Sequence, residues 1–142
     1  MINRIMEAIG TVLNAEFGDG YKIYREEAGQ EFQGPCFFTA CTYSSNKQFS
    51  EKRYLRENQF CIRYFPGIGG KEREECYGAA ERLFSCLEWL TVDGDFVMGT
   101  RMRCEMTDGV LLFFVNYDVY VYKMSETVPV MEEISAETAV KG

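Results

Sequence analysis

The sequence predicts an α+β fold: a mostly antiparallel or mixed β-sheet packed against two α-helices, in the order α-β-β-β-α-β-β. Three observations predict it. Apolar residues recur at three- and four-residue spacing in two separate segments, residues 2–17 and 71–90, the mark of amphipathic helices. Alternating or aromatic-rich runs bounded by Gly, Pro and Asp lie between and after them, as strands do. Asp108-Gly109 sits between two such runs, and that dipeptide favours a tight hairpin. At 142 residues the chain is the size of one domain. Residues 1–124 carry the patterning, whereas residues 125–142 are poor in apolar side chains and read as a C-terminal arm or extended tail.

The first helix, Ile2 to Phe17, places Ile2, Ile5, Met6, Ile9, Val12, Leu13 and Phe17 on one face. Gly18-Asp19-Gly20 stops it, because glycine readily takes the backbone angles that close a helix. Tyr21 to Arg25 reads as a short strand and Glu26 to Pro35 as a loop. Cys36 to Tyr43 is an aromatic, buried strand, followed by a polar loop from Ser44 to Lys52 that Phe49 interrupts. The next strand, Tyr54 to Phe65, sets Phe60, Ile62 and Tyr64 on one face and ends at Pro66 and the following glycines. The second helix is expected over Lys71 to Leu90, with an inner stripe of Cys76, Ala80, Leu83, Leu87 and Leu90.

A tight Asp108-Gly109 turn sets Thr107 opposite Val110. Counting outward pairs Met106 with Leu111, Cys104 with Phe113 and Met102 with Val115, on a face that Tyr117, Val119 and Val121 continue. A slip of one residue would bury Arg103 and Glu105, so the register is well specified. Arg101, Arg103, Glu105, Leu112, Phe114, Asn116 and Asp118 fall on the opposite face. There Leu112 and Phe114 stand among charges on a surface that no helix obviously covers. Two readings stay open: an ordinary half-exposed sheet face, or a subunit interface with aromatic anchors among charges.

Composition excludes several classes of function. The formal net charge is −7, with acids outnumbering bases 22 to 15, which argues against broad phosphate recognition. The N-terminus lacks a signal peptide's apolar stretch, and no segment approaches the ~20 apolar residues of a membrane span. A protein made and kept in a cytoplasm is expected, with its cysteines reduced. The six cysteines, Cys36, Cys41, Cys61, Cys76, Cys86 and Cys104, show no CxxC pair and have no histidine to complete a zinc site. Small buried hydrophobes are the expectation for them.

No segment carries a catalytic or ligand-binding constellation. Lacking histidine, the chain lacks the commonest general base. Pro66 to Lys71 precedes a helix as an anion-binding loop would, yet Glu72, Glu74 and Glu75 crowd that helix start and are better read as acids complementing the helix dipole. Val92-Asp93-Gly94-Asp95 begins like a calcium loop without its later ligands, and a turn is expected. No catalytic residue, cofactor-binding residue or metal ligand is assigned, no cofactor is expected, and the chain reads as a non-enzyme.

Several segments nevertheless form a recognisable pattern. They are Glu16-Phe17-Gly18-Asp19-Gly20-Tyr21-Lys22-Ile23-Tyr24, Pro35-Cys36-Phe37-Phe38, Phe60-Cys61-Ile62-Arg63-Tyr64-Phe65-Pro66, Ala80-Glu81-Arg82-Leu83-Phe84, and the stretch from Asp108 through Asp118. Taken together they resemble the phage tail terminator family of Gram-positive prophages and contractile phage-tail-like bacteriocins. The resemblance implies a virion structural protein that closes into a hexameric ring on the head-proximal end of the tail tube and sheath. Such a ring stops tube polymerisation and joins the tail to a head or collar. The implied partners are therefore other copies of this chain, tube and sheath proteins, and head-completion or collar proteins, and the implied location is the host bacterial cytoplasm during assembly and then the tail particle. No membrane and no specific nucleic acid is implied, although DNA passes through the lumen of such a ring in a phage. Exposure and composition nominate Phe49, Lys52, Arg53, Arg101, Arg103, Leu112, Phe114, Ile134 and Val140 as contact residues. The alternatives are a head–tail connector of related fold and, more remotely, a small-molecule binding module.

Overall fold

A computed structural model describes residues 1–25 and 34–123. Along the chain run α1 (Ile2–Phe17), β1 (Lys22–Tyr24), β2 (Cys36–Gln48), β3 (Arg53–Phe65), α2 (Glu72–Cys86), β4 (Trp89–Val92), β5 (Asp95–Thr107), β6 (Val110–Tyr117) and β7 (Val119–Tyr122). The expected α+β class holds. The strands form one mixed sheet in the order β1-β2-β3-β6-β5-β4, with β7 pairing β3 beyond the end of β6. Only the β1–β2 pair is parallel among the described residues. The 125–142 arm, with Ile134 and Val140, and part of the 26–35 loop lie outside the described residues.

The sheet curls around the helices because α1 touches both of its ends, β1 and β2 on one side and β4 on the other. Ile5, Ile9, Leu13 and Phe17 recur every fourth residue, and all four are buried. Cys76, Ala79, Ala80 and Leu83 make the buried stripe of α2, which packs on β3 and β6. Facing them are Phe37, Phe60, Ile62, Tyr64, Leu111, Phe113, Val115 and Tyr117. Each large side chain buried here stabilises the fold by about 1.5–3 kcal/mol. Arg82 ties the helices together: it pairs with Glu16 at 2.9 Å and lies 4.2 Å from the centre of the Phe17 ring.

The chain departs from expectation at four places. The second helix stops at Cys86, and Leu90 belongs to β4. Tertiary bonds end it: the Tyr117 hydroxyl donates to the Leu87 carbonyl at 2.6 Å, and the Gly99 amide donates to the Glu88 carbonyl at 2.7 Å. Gly99 permits this approach, since a Cβ there would lie 2.6 Å from the Leu87 oxygen. Leu87 and Leu90 are buried all the same, so the helical stripe and the true structure agree on the core while disagreeing on the backbone.

The polar loop expected over Ser44–Lys52 is in its first half a strand. β2 runs on to Gln48, and its polar side chains pair across to β3: Ser44 with Asn58 at 2.8 Å, Ser45 with Glu57 at 3.1 Å, Lys47 with Glu57 at 2.9 Å. A strand with polar groups on both faces has no alternation to read. The Asp108-Gly109 hairpin pairs Thr107–Val110, Met106–Leu111 and Cys104–Phe113 as expected. A bulge between Thr100 and Arg103 then breaks the expected Met102–Val115 pair, with Arg101 at φ 53°. Last, Cys104 is exposed rather than a buried hydrophobe, because α2 covers β6 and β3 more than β5. Cys36, Cys61 and Cys76 are buried, and Cys41 and Cys86 are half-buried.

Candidate interface surfaces

The loop before α2 is closed to anions by the chain's own carboxylates. Glu72 accepts the Gly69 and Gly70 amides at 3.3 Å each, and Glu75 accepts the Gly67 amide at 3.1 Å and the Tyr64 hydroxyl at 3.3 Å. Backbone N–H groups, its own first and then those of Gly69 and Gly70, hold the Glu72 carboxyl below its ordinary range. The amides that would cradle a phosphate are thus already satisfied. Val92 to Asp95 is the expected turn, joining β4 to β5, with Asp93 and Gly94 both at positive φ. A broad open cleft of about 460 Å³ lies between α1 and the β1–β2 edge, lined by Met6, Glu7, Gly10, Ile23 and Thr39 among others. Among the described residues no group of three or more His, Cys, Asp or Glu could hold a metal ion, and no helix is long and apolar enough to cross a membrane.

The sheet face turned away from the helices holds three surfaces. At its centre Phe114 and Leu112 are half-buried beside the buried Cys61. Arg103 stacks 4.0 Å over the Phe114 ring and pairs with Glu105 at 2.7 Å, while Arg63 stacks 4.8 Å over Phe38. The guanidinium groups already shield these rings, so much of the apolar area expected to be open is covered within the subunit.

A second surface is the arm made by the distal halves of β2 and β3 with β7. β3 pairs β6 only from Gln59 to Tyr64, and beyond that point it pairs β7 through Arg53 to Arg56. Buried Asn58 roots the arm, donating to the Tyr117 carbonyl at 3.1 Å and accepting from Ser44. At the tip, Phe49 and Tyr120 meet edge-to-face at 5.6 Å, and Arg53 lies 5.3 Å from the Phe49 ring centre. The rings stay 50% and 72% exposed. Three nominated residues, Phe49, Lys52 and Arg53, thus come together here. Arg103, Leu112 and Phe114 form the separate central group, and Arg101 lies on the bulge between the two.

A mixed charge cluster surrounds the base of the arm. Lys47 pairs with Glu57, which raises the ammonium pKa and lowers the carboxyl. Asp118, at the step from β6 to β7, has its carboxyl pushed up by burial, opposed by the backbone N–H of Asn58 and by the charges of Arg101 and Lys47, while Glu57 reinforces the rise.

The third surface was not foreseen. β4 and β5 pair Trp89 with Met98 and Thr91 with Phe96, so these four share one face. Leu90, Val92 and Val97 point to the core from the other face. Trp89, Phe96 and Met98 are 52%, 76% and 48% exposed, a concentration of large apolar side chains unusual on a free surface. Glu88 and Asp95 flank them, and Asp93 is held by Arg4 at 2.9 Å. The alternation Trp89-Thr91 and Phe96-Met98 around the Asp-Gly turn was the available signal, and the apparent helical stripe through Leu90 masked it.

The family model described as phage tail terminator protein matches residues 4–129, most of the chain. No curated protein is similar enough to match. One solved structure, whose name states no function, is 13% identical with a TM-score of 0.37, covering 89% of this chain and 99% of that chain. A likeness that low carries no argument.

Proposed function

The chain belongs to the phage tail terminator family, a family of structural tail proteins, and from that premise we propose that its copies close into a hexameric ring capping the head-facing end of a tail tube. The observation that carries the proposal is the pair of exposed aromatic surfaces, Phe49/Tyr120 on the arm and Trp89/Phe96/Met98 on β4–β5. Neither is part of the buried core. A closed ring of identical subunits needs two different, complementary surfaces per copy, and large aromatic anchors are what such contacts are built from. Function in this reading is shape and surface: the ring ends polymerisation of the tube, meets the sheath where one is present, and offers its other side to a head or collar. Light scattering and negative-stain imaging of the purified chain, alone and with tail tubes, test it. Closed rings, or rings formed on tube ends, are the expected result. A strict monomer at every concentration, with no binding to tube ends, would overturn it.

A further inference from the structure

Resting on the ring reading, we infer that the arm tip of one copy docks on the β4–β5 face of the next copy, Phe49 and Tyr120 against Trp89, Phe96 and Met98. Charge selects this pairing. Residues 42–58 carry Lys47, Lys52, Arg53 and Arg56 against Glu51 and Glu57, a basic excess in an acidic chain. Residues 88–98 carry Glu88, Asp93 and Asp95 and no Lys or Arg. Lys47 is engaged by Glu57, Arg56 by Asn46 and Asp93 by Arg4, which leaves Lys52 and Arg53 outnumbering Glu51 at the exposed arm tip, and Glu88 and Asp95 at the rim of the apolar face. Arm-to-arm contact would set bases against bases, and face-to-face contact acids against acids, each costing several kcal/mol if desolvated. Arm-to-face contact alone brings opposite charges around an aromatic centre.

The geometry agrees with the charges. β6 ends at Tyr117, and the sheet forks there, with β2–β3–β7 continuing on one side and β4–β5 on the other. One copy thus presents the two surfaces on different flanks, as a head-to-tail contact that closes on itself requires.

Charge exchange tests the inference. One variant carries Lys52→Glu and Arg53→Glu, a second carries Glu88→Lys and Asp95→Lys, and a third carries all four changes. These positions are exposed, so thermal melts near the parent value are expected for each. Each of the first two should need a concentration about tenfold or more higher to form rings. The third should recover assembly. An equimolar mixture of the first two should also recover it, because alternation around an even-numbered ring sets every altered arm on an altered face. If both two-site variants form rings like the parent, or if neither the third variant nor the mixture recovers assembly, the inference is overturned. It is overturned too if the altered face leaves rings intact and abolishes only tube binding, which would assign that face to the tube. A parent chain that never forms rings overturns the ring reading instead, and the two failures are distinct.

Discussion

Two hairpins of this sheet are held together by different physics. The β5–β6 hairpin is closed by a tight Asp108-Gly109 turn and inserts Leu111, Phe113 and Val115 beneath the helices. The distal β2–β3 hairpin has polar side chains on both faces and is knit by Ser44–Asn58, Ser45–Glu57 and Lys47–Glu57 contacts at 2.8, 3.1 and 2.9 Å. The first hairpin gains its stability from burial. The second keeps its shape through cross-strand polar pairs and leaves Tyr43 and Phe49 exposed. Burial is thus concentrated at one end of the sheet, and the exposed rings at the arm tip stand apart from the core.

The largest effect expected from this division comes from comparing two phenylalanines. Phe113 is fully buried and meets Phe84 edge-to-face at 4.9 Å, whereas Phe49 is half exposed. Phe113→Ala should cost about 3–5 kcal/mol in chemical denaturation. Phe49→Ala should cost about 1 kcal/mol or less, from its contacts with Tyr120 and Arg53. Equal losses would mean that the arm is part of the cooperative core, and the division would fall.

An intermediate effect is expected at the root of the arm. Asn58 is fully buried and joins both regions, since its side-chain amide serves the Tyr117 carbonyl at the end of β6 and its oxygen accepts from Ser44 on β2. Asn58→Ala would leave the Tyr117 carbonyl without that donor, at a cost of about 1–3 kcal/mol by denaturant titration. Hydrogen exchange should then rise in the arm more than around Phe113. A uniform rise over the sheet would show that Asn58 supports the whole fold instead.

The same contrast decides what was legible in the sequence. Periodicity reports burial, so α1, the core face of β6 and the Asp108-Gly109 register could be read directly. The arm could not, because Ser44 to Gln48 is polar on both faces and resembles a loop. Leu83, Leu87 and Leu90 kept helical spacing across a real break, since Tyr117 and Gly99 end the helix from thirty and eleven residues away. No local pattern encodes those bonds. Of the nominated contact residues, Phe49, Lys52 and Arg53 do converge at the arm tip, while the β4–β5 face went unseen behind the apparent helix.

The smallest and most discriminating effect concerns two carboxylates beside the arm whose pKa values move in opposite directions. The Glu57 carboxyl is lowered, first by its bond to Lys47 and then by Ser45, so its ionised form favours the folded state. That contribution is present above the ordinary 4.5 and is lost as pH falls through the lowered folded value. The Asp118 carboxyl is raised by burial, so its protonated form favours the folded state. Its contribution is present below the ordinary 3.8 and is lost as pH rises through the raised folded value. Removing each charge should therefore act with opposite sign at neutral pH. Glu57→Gln should lower the melting temperature slightly, and Asp118→Asn should raise it. Both differences should shrink on acidification, once the parent carboxyls are protonated in the folded and unfolded chains alike. Melts from pH 3 to pH 8 read both. If Asp118→Asn lowers stability at neutral pH, the Asn58 amide and the Arg101 and Lys47 charges outweigh burial at that position, and Asp118 belongs with Glu57 among the groups that hold the arm in place.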